Sequence, residues 1–259
     1  MIRRTELNQF LNKFLGEQLL EEARSKDPQN ANGLQIEGNE RIKKIALGVS
    51  LTEDLLAEAV EAGGDTVILH HGMRFEMPRQ RLEVFAQKRL ELVFRHRLNV
   101  YGFHYVLDAH PMIGNNAVIA RELGAKIVEP YYGGWGWIAQ LPKEKSVAEI
   151  SKRLAEITNH DVFAVYGPKK FVGRLGIASG FGITKSEERW EAVDKKIDVH
   201  ITGEVTEWTV HIFKEMGITY LAAGHYATEV FGVQELGKKI KEEFKDNVEV
   251  EFIDIPNPI

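Results

Sequence analysis

The amino-acid sequence predicts an α/β protein built from two α/β domains of similar topology, each a three-layer arrangement with a mostly parallel or mixed sheet. Two observations carry this. Short apolar runs alternate with helix-length amphipathic segments along most of the 259 residues, which is the pattern of βαβ units. The same succession then occurs a second time, with local sequence matches in the same order.

The elements follow from period and punctuation. Leu7, Phe10, Leu11, Phe14, Leu15 and Leu19 recur at helical spacing, so Thr5 to Arg24 reads as one amphipathic helix. Asp27-Pro28-Gln29-Asn30-Ala31-Asn32-Gly33 is a polar break. Lys43–Val49 reads as a strand and Thr52–Ala62 as a helix with Thr52 as its N-cap. Thr66–Leu69 is a buried strand that delivers His70 and His71. Arg79–His96 is a helix, Leu98–Phe103 a strand, and Asn115–Leu123 a helix stopped by Gly124. Residues 125–171 differ in character: Tyr131-Tyr132-Gly133-Gly134-Trp135-Gly136-Trp137, a helix near Val147–Ile157, and β-like residues at Val162–Val165. Alternation returns with strand Val172–Ala178, helix Ser186–Val193, strand Asp198–Ile201, helix Thr206–Met216, strand Thr219–Ala222, helix Glu229–Phe244 and strand Val248–Ile253. The expected division is a first α/β half at 1–124, a β-rich connection at 125–171 and a second half at 172–259.

The repeat is visible in residues. The stretch from Ala62 to Gly72, ending Leu69-His70-His71-Gly72, runs alongside Lys195 to Glu204, ending Ile201-Thr202-Gly203-Glu204. Gly102 to Asp108 runs alongside Ala223 to Glu229, so both halves carry His-Tyr-x-x-acid where a strand gives way to a helix.

Composition narrows the chemistry. Thirty-three Lys and Arg against 38 Asp and Glu give a formal charge of -5, which argues against a non-specific nucleic-acid binder. With no cysteine, disulfides, iron–sulfur clusters and thiol catalysis are excluded, and any metal is held by His and carboxylates. No run approaches the ~18 apolar residues of a membrane span, and the N-terminus turns charged where a signal peptide stays apolar. The expectation is a cytoplasmic protein with no membrane partner.

Ligands of parallel α/β sheets bind at the carboxyl ends of strands, and the chemically able residues fall there. His70 and His71 leave one strand. Asp108 follows another, where an isolated aspartate reads equally as an N-cap or turn residue. His225 and Glu229 share a face at i, i+4, although Glu229 alone reads as a first-turn acid. Three imidazoles and two carboxylates suffice for two ions if one carboxylate bridges. The donor set suits Zn, Mn, Fe or Ni without choosing among them. His104 and Glu204 are the candidates for proton transfer.

Taken together these stretches resemble the NGG-interacting-factor-three-like family, the GTP cyclohydrolase I type 2 homologues. The resemblance runs from Asn32-Gly33-Leu34-Gln35 through His70-His71-Gly72, Asp108-Ala109-His110-Pro111 with Gly114-Asn115-Asn116, and Thr202-Gly203-Glu204, to His225-Tyr226-Ala227-Thr228-Glu229. It implies a dinuclear metal site with ligands His70, His71, Asp108, His225 and Glu229, the last as bridge. It also implies that the two domains are intertwined and that the chain forms a toroidal homohexamer, a trimer of dimers. One departure stands out: many relatives have Lys-Gly soon after the paired histidines, where this chain has Arg74-Phe75-Glu76-Met77-Pro78. Glu76 in place of a cation puts a phosphate contact there in doubt.

Several features weigh less. Arg74 to Arg97 holds seven Lys or Arg against three Glu, a net of +4, which reads as a solvated helix face before a nucleic-acid patch. The Tyr131–Trp137 cluster reads as a hairpin or interface before a base-stacking surface. His211 is either near the metals or a core histidine. The leading functional expectation is a metal-dependent hydrolase acting on a nucleotide-like small molecule, in the cyclohydrolase version opening a purine imidazole ring with release of formate. The alternatives are a metal-binding or metal-delivery protein without turnover, and a ring that regulates or threads nucleic acid through a hole lined by Arg79, Arg81 and Arg89.

Overall fold

The computed structural model describes residues 1–74 and 80–259. The chain divides into two compact units, Met1–Leu107 with Gly232–Ile255, and Asp108–Phe231 with Pro256–Ile259.

The chain opens with β1 (Ile2–Arg3), α1 (Arg4–Leu15) and α2 (Glu17–Lys26). The single helix expected over Thr5–Arg24 is two, because Gly16 adopts φ 86°, a left-handed conformation open to glycine at low cost. Next come β2 (Asn32–Ile36), β3 (Arg41–Ile42) and β4 (Lys44–Ser50). Helix α3 (Glu53–Glu61) starts as expected at Thr52, whose side chain accepts from the Leu55 amide. Then follow β5 (Thr66–His71), α4 (Val84–His96), β6 (Asn99–Phe103) and the short α5 (Tyr105–Ala109).

The chain continues with α6 (Asn115–Glu122), β7 (Lys126–Tyr131), β8 (Gly136–Ser146) and α7 (Val147–Thr158), the last capped by reciprocal Ser146 and Glu149 bonds. After β9 (Phe163–Val165) come β10 (Phe171–Ile177), α8 (Ser186–Asp194), β11 (Val199–Thr202), α9 (Glu207–Met216) and β12 (Thr219–Ala222). Helix α10 (His225–Phe244) and strand β13 (Glu249–Phe252) end the chain. Among the described residues no helix is long and apolar enough to cross a membrane.

The first unit's sheet has the order β13-β4-β5-β6-β2, parallel except for β2. Strand alternation sends Ala46, Val67, Leu69 and Val100 to one face, where Leu55, Leu56 and Ala59 of α3 and Val93 of α4 cover them. On the other face Tyr101 donates to Asn8 of α1 at 2.6 Å, and Gly237 of α10 lets that helix lie against Leu47. The second unit's sheet has the order β7-β8-β10-β11-β12-β9. Helices α6 and α7 bury Ile119, Ile150 and Leu154 against one face. Helices α8 and α9 bury Ala192 and Phe213 against the other. Each unit is therefore a three-layer sandwich on a mixed sheet.

The expected boundaries at 124 and 171 differ from those of the compact units. Residues 125–171 are not a separate connection, since β7, β8 and β9 pair into the same sheet as β10 to β12. Gly232–Ile255 belongs with the first unit, where β13 pairs in parallel with β4. The repeat is nevertheless plain in the pairing. Order β4-β5-β6-β2 in one sheet matches β10-β11-β12-β9 in the other, each a parallel trio with an antiparallel strand beside its third member. Leu69 pairs with Gly102 as Thr202 pairs with Ala222, so His70-His71, the last residues of β5, correspond to Gly203-Glu204, which follow β11.

Candidate metal centre

In the first unit three imidazoles gather at the carboxyl ends of β5 and β6. The strand expected to end at Leu69 continues through His71. The two histidines are tied to opposite neighbours. Nδ1 of His70 lies 3.1 Å from the Phe103 carbonyl beside β6, and Nδ1 of His71 lies 2.9 Å from Ser50 Oγ on β4. A carbonyl only accepts, so Nδ1 of His70 carries the proton and Nε2 the lone pair. His104 follows β6, and its Nδ1 is 2.7 Å from Asp27 Oδ2. Burial opposes ionisation of Asp27, but hydrogen bonds from His104, Asn30 and Asn32 outweigh it and hold the carboxyl below its usual range. Ring nitrogens of His70, His71 and His104 lie within 4.8 Å of one another.

In the second unit the group is rich in carboxylates. Asp108 sits in α5, not at an N-cap, and is buried; Asn115 Nδ2 and Ser179 Oγ each donate to its Oδ1 at 3.0 Å. Helix α10 starts at His225, four residues before the expected Glu229, which creates the shared face. His225 Nε2 stands 3.1 Å from Glu229 Oε2, and its Nδ1 stands 2.5 Å from Glu204 Oε1. Burial works against charge on His225, but Glu229 and Glu204 prevail and push its pKa up to about 9. The two carboxylates thus favour a positive charge at this position, which a proton or a metal ion can supply. Carboxylate oxygens of Asp108 and Glu229 come within 4.8 Å of each other. Gly180, at φ 58°, leaves the flank of Glu229 open: a Cβ there would lie 1.9 Å from Oε1 and 3.1 Å from His225 Nε2.

Other expectations resolve differently. His211 is not in the core; its side chain is 72% exposed on α9, 3.7 Å from Glu207. His200 is fully buried, as His70 is, and no motif in the sequence singles it out. The aromatic cluster is the turn of the β7–β8 hairpin, with Tyr131 buried and bonded to His200 Nδ1 at 2.9 Å and Trp137 Nε1 donating to the Ala109 carbonyl. Arg74 donates to Asn30 at 3.0 Å. Glu76 and Arg79 lie outside the described residues. Arg89 stacks over the Phe85 ring.

The donor chemistry fits a borderline metal: imidazoles with Nδ1 anchored and Nε2 presented, together with buried carboxylates held by side-chain donors. A family model described as Duf34/NIF3 (NGG1p interacting factor 3) matches residues 2–258. The chain belongs to the DUF34/NIF3 family. A relative named GTP cyclohydrolase 1 type 2 homolog from Buchnera aphidicola is 34% identical over 255 residues, covering 96% of this chain and all of that one. A relative of the same name from Escherichia coli K12 is 33% identical, covering 99% of this chain and all of that one. Among solved structures, protein ybgI, described as of unknown function, matches with a TM-score of 0.84 at 32% identity over the whole of both chains. TTHA1606 from Thermus thermophilus matches with a TM-score of 0.83 at 28% identity, again over both chains.

Within this DUF34/NIF3 chain the residues that sequence reasoning missed are those that hold the donors: Asp27, Ser50, Ser179 and Gly180. Asn115 reads in the sequence only as a helix start. Gly180 stands in the short motif Ser179-Gly180-Phe181-Gly182, whose glycines signal an unusual backbone but not what lies against it.

Proposed function

We propose that this chain binds two divalent metal ions through His70, His71, Asp108, His225 and Glu229 and hydrolyses a nucleotide-like small molecule, as the name carried by its relatives suggests. The observation that carries the reading is the pair Asp108 and Glu229. Two carboxylates that are 6% and 3% exposed, with oxygens within 4.8 Å, are costly to bury unless a cation or proton accompanies them. Zn, Mn, Fe and Ni suit the mixed nitrogen and oxygen donors.

Ions in such a donor set supply Lewis acidity and a bound water of lowered pKa. The protein's own part is to present and orient. Asn115 and Ser179 hold one oxygen of Asp108 and so direct the other. Glu204 accepts from Nδ1 of His225, which turns Nε2 toward Glu229. Gly180 keeps side-chain atoms away from the Glu229 carboxylate.

The test is turnover. Metal-loaded protein is incubated with GTP and a panel of nucleotides, with formate release and the purine ultraviolet spectrum followed, and Asp108→Asn run beside it. Activity that requires both metal and Asp108 supports the reading. Retained metal binding with no turnover of any nucleotide contradicts the hydrolase part and favours metal carriage. The assembly proposed with it is a homohexamer, six times the 29.4 kDa chain. A monomer by light scattering at micromolar concentration contradicts that.

A further inference from the structure

We infer that His104 is a nitrogen ligand alongside His70 and His71, and that Asp27 is the residue that positions it. This deepens the metal-binding reading and rests on it. The sequence places His104 behind the ligands as a proton carrier, because its counterpart in the repeat, His225, takes the ligand role.

Three features of the first unit carry the inference. The His104 ring centroid is 5.0 Å from that of His70 and 5.4 Å from that of His71, against 4.6 Å between His70 and His71 themselves. With ring nitrogens of all three within 4.8 Å, small side-chain rotations bring them to one ion. All three rings are also anchored in the same way, through Nδ1, to Phe103 O, Ser50 Oγ and Asp27 Oδ2. Metal-ligating histidines almost always have their second nitrogen held by a carboxylate, a carbonyl or water, which fixes the tautomer and raises basicity. Of the three anchors, the carboxylate of Asp27 raises basicity most.

The Asp27 anchor is itself built. Asp27 closes α2, is 6% exposed, and accepts from Asn30 Nδ2 at 2.6 Å and Asn32 Nδ2 at 3.3 Å. Antiparallel pairing of Asn32 with Phe103, and the His104 amide donating to the Ala31 carbonyl at 3.0 Å, bring the two segments together. A surface ion pair would need none of this. Three neutral imidazoles select a metal that imidazole suits, such as Zn, Co, Ni or Cu, over Mg or Ca.

The test uses the full-length protein and Zn²⁺, with imidazole 15N resonances followed by long-range 1H–15N correlation. In the wild type, His104 should show the proton on Nδ1, and its Nε2 resonance should shift on Zn²⁺ addition together with those of His70 and His71. By calorimetry, Asp27→Asn should weaken Zn²⁺ binding roughly 10- to 100-fold, the usual effect of losing such a partner, with the fold checked by circular dichroism. If Zn²⁺ binds and moves His70 and His71 but leaves His104 Nε2 unmoved, the inference is overturned and the metal-binding reading stands. If the wild type binds no Zn²⁺, both fall.

Discussion

Glu204 Oε1 lies 2.5 Å from His225 Nδ1, and the opposite nitrogen of the same ring lies 3.1 Å from Glu229 Oε2. The imidazole is therefore held between two carboxylates, one that orients it and one that shares its ligand face. Glu204→Gln keeps an oxygen for the Nδ1 proton but removes the charge. Its divalent-metal affinity should fall roughly 10-fold or more, the range for such supporting partners. Calorimetric titration with Zn²⁺ checks this, and unchanged affinity would show that Glu204 does not act through His225.

Gly180 makes a second test because two constraints meet at it. An alanine there must hold φ near 58° and put its Cβ 1.9 Å from Glu229 Oε1. The backbone strain alone costs about 1 kcal/mol, which leaves the fold standing. The displaced carboxylate should lower metal affinity by more than that strain lowers stability. Paired measurements of melting temperature and Zn²⁺ affinity decide it, and affinity equal to wild type contradicts the arrangement.

His200 gives the fold an acid limit. Burial among Tyr131, Phe213 and Tyr220 lowers its pKa from 6.5 to about 4, while the Gly182 carbonyl, accepting from Nε2, opposes the shift. The native state thus keeps the ring neutral where the unfolded chain already binds a proton. This contribution is whole above pH 6.5 and lost as pH falls toward 4, amounting to about 3 kcal/mol at the acid end. His200→Gln, which does not titrate, should be less stable than wild type at about pH 7.5, above the ordinary histidine range. That gap should narrow as urea unfolding is repeated down to about pH 4.5, below that range; a constant gap would contradict the assignment.

Much of this was legible in the sequence because it is local. Short apolar runs ending in His70-His71 and His104, and the Thr52 cap, need only a few neighbouring residues to be read. The repeat was legible for the same reason, although the pairing reveals one extra residue before His225, Gly224 at φ 87°. Asp27 was not legible. It sits in a polar break, and only the pairing of β2 with β6 brings its carboxylate to a histidine 77 residues away. Strand β2 was itself missed, since its Asn32-Gly33 start reads as a turn and all five of its residues are half-buried. His211 misled because helical spacing gives a face but not what covers it.

The central claim is that the chain holds two divalent ions on its histidines and buried carboxylates, and elemental analysis after saturation with Zn²⁺ or Mn²⁺ and removal of free metal tests it most directly. The account predicts two ions per chain in the wild type and fewer in Asp108→Asn and Glu229→Gln. One ion or none per wild-type chain would contradict it.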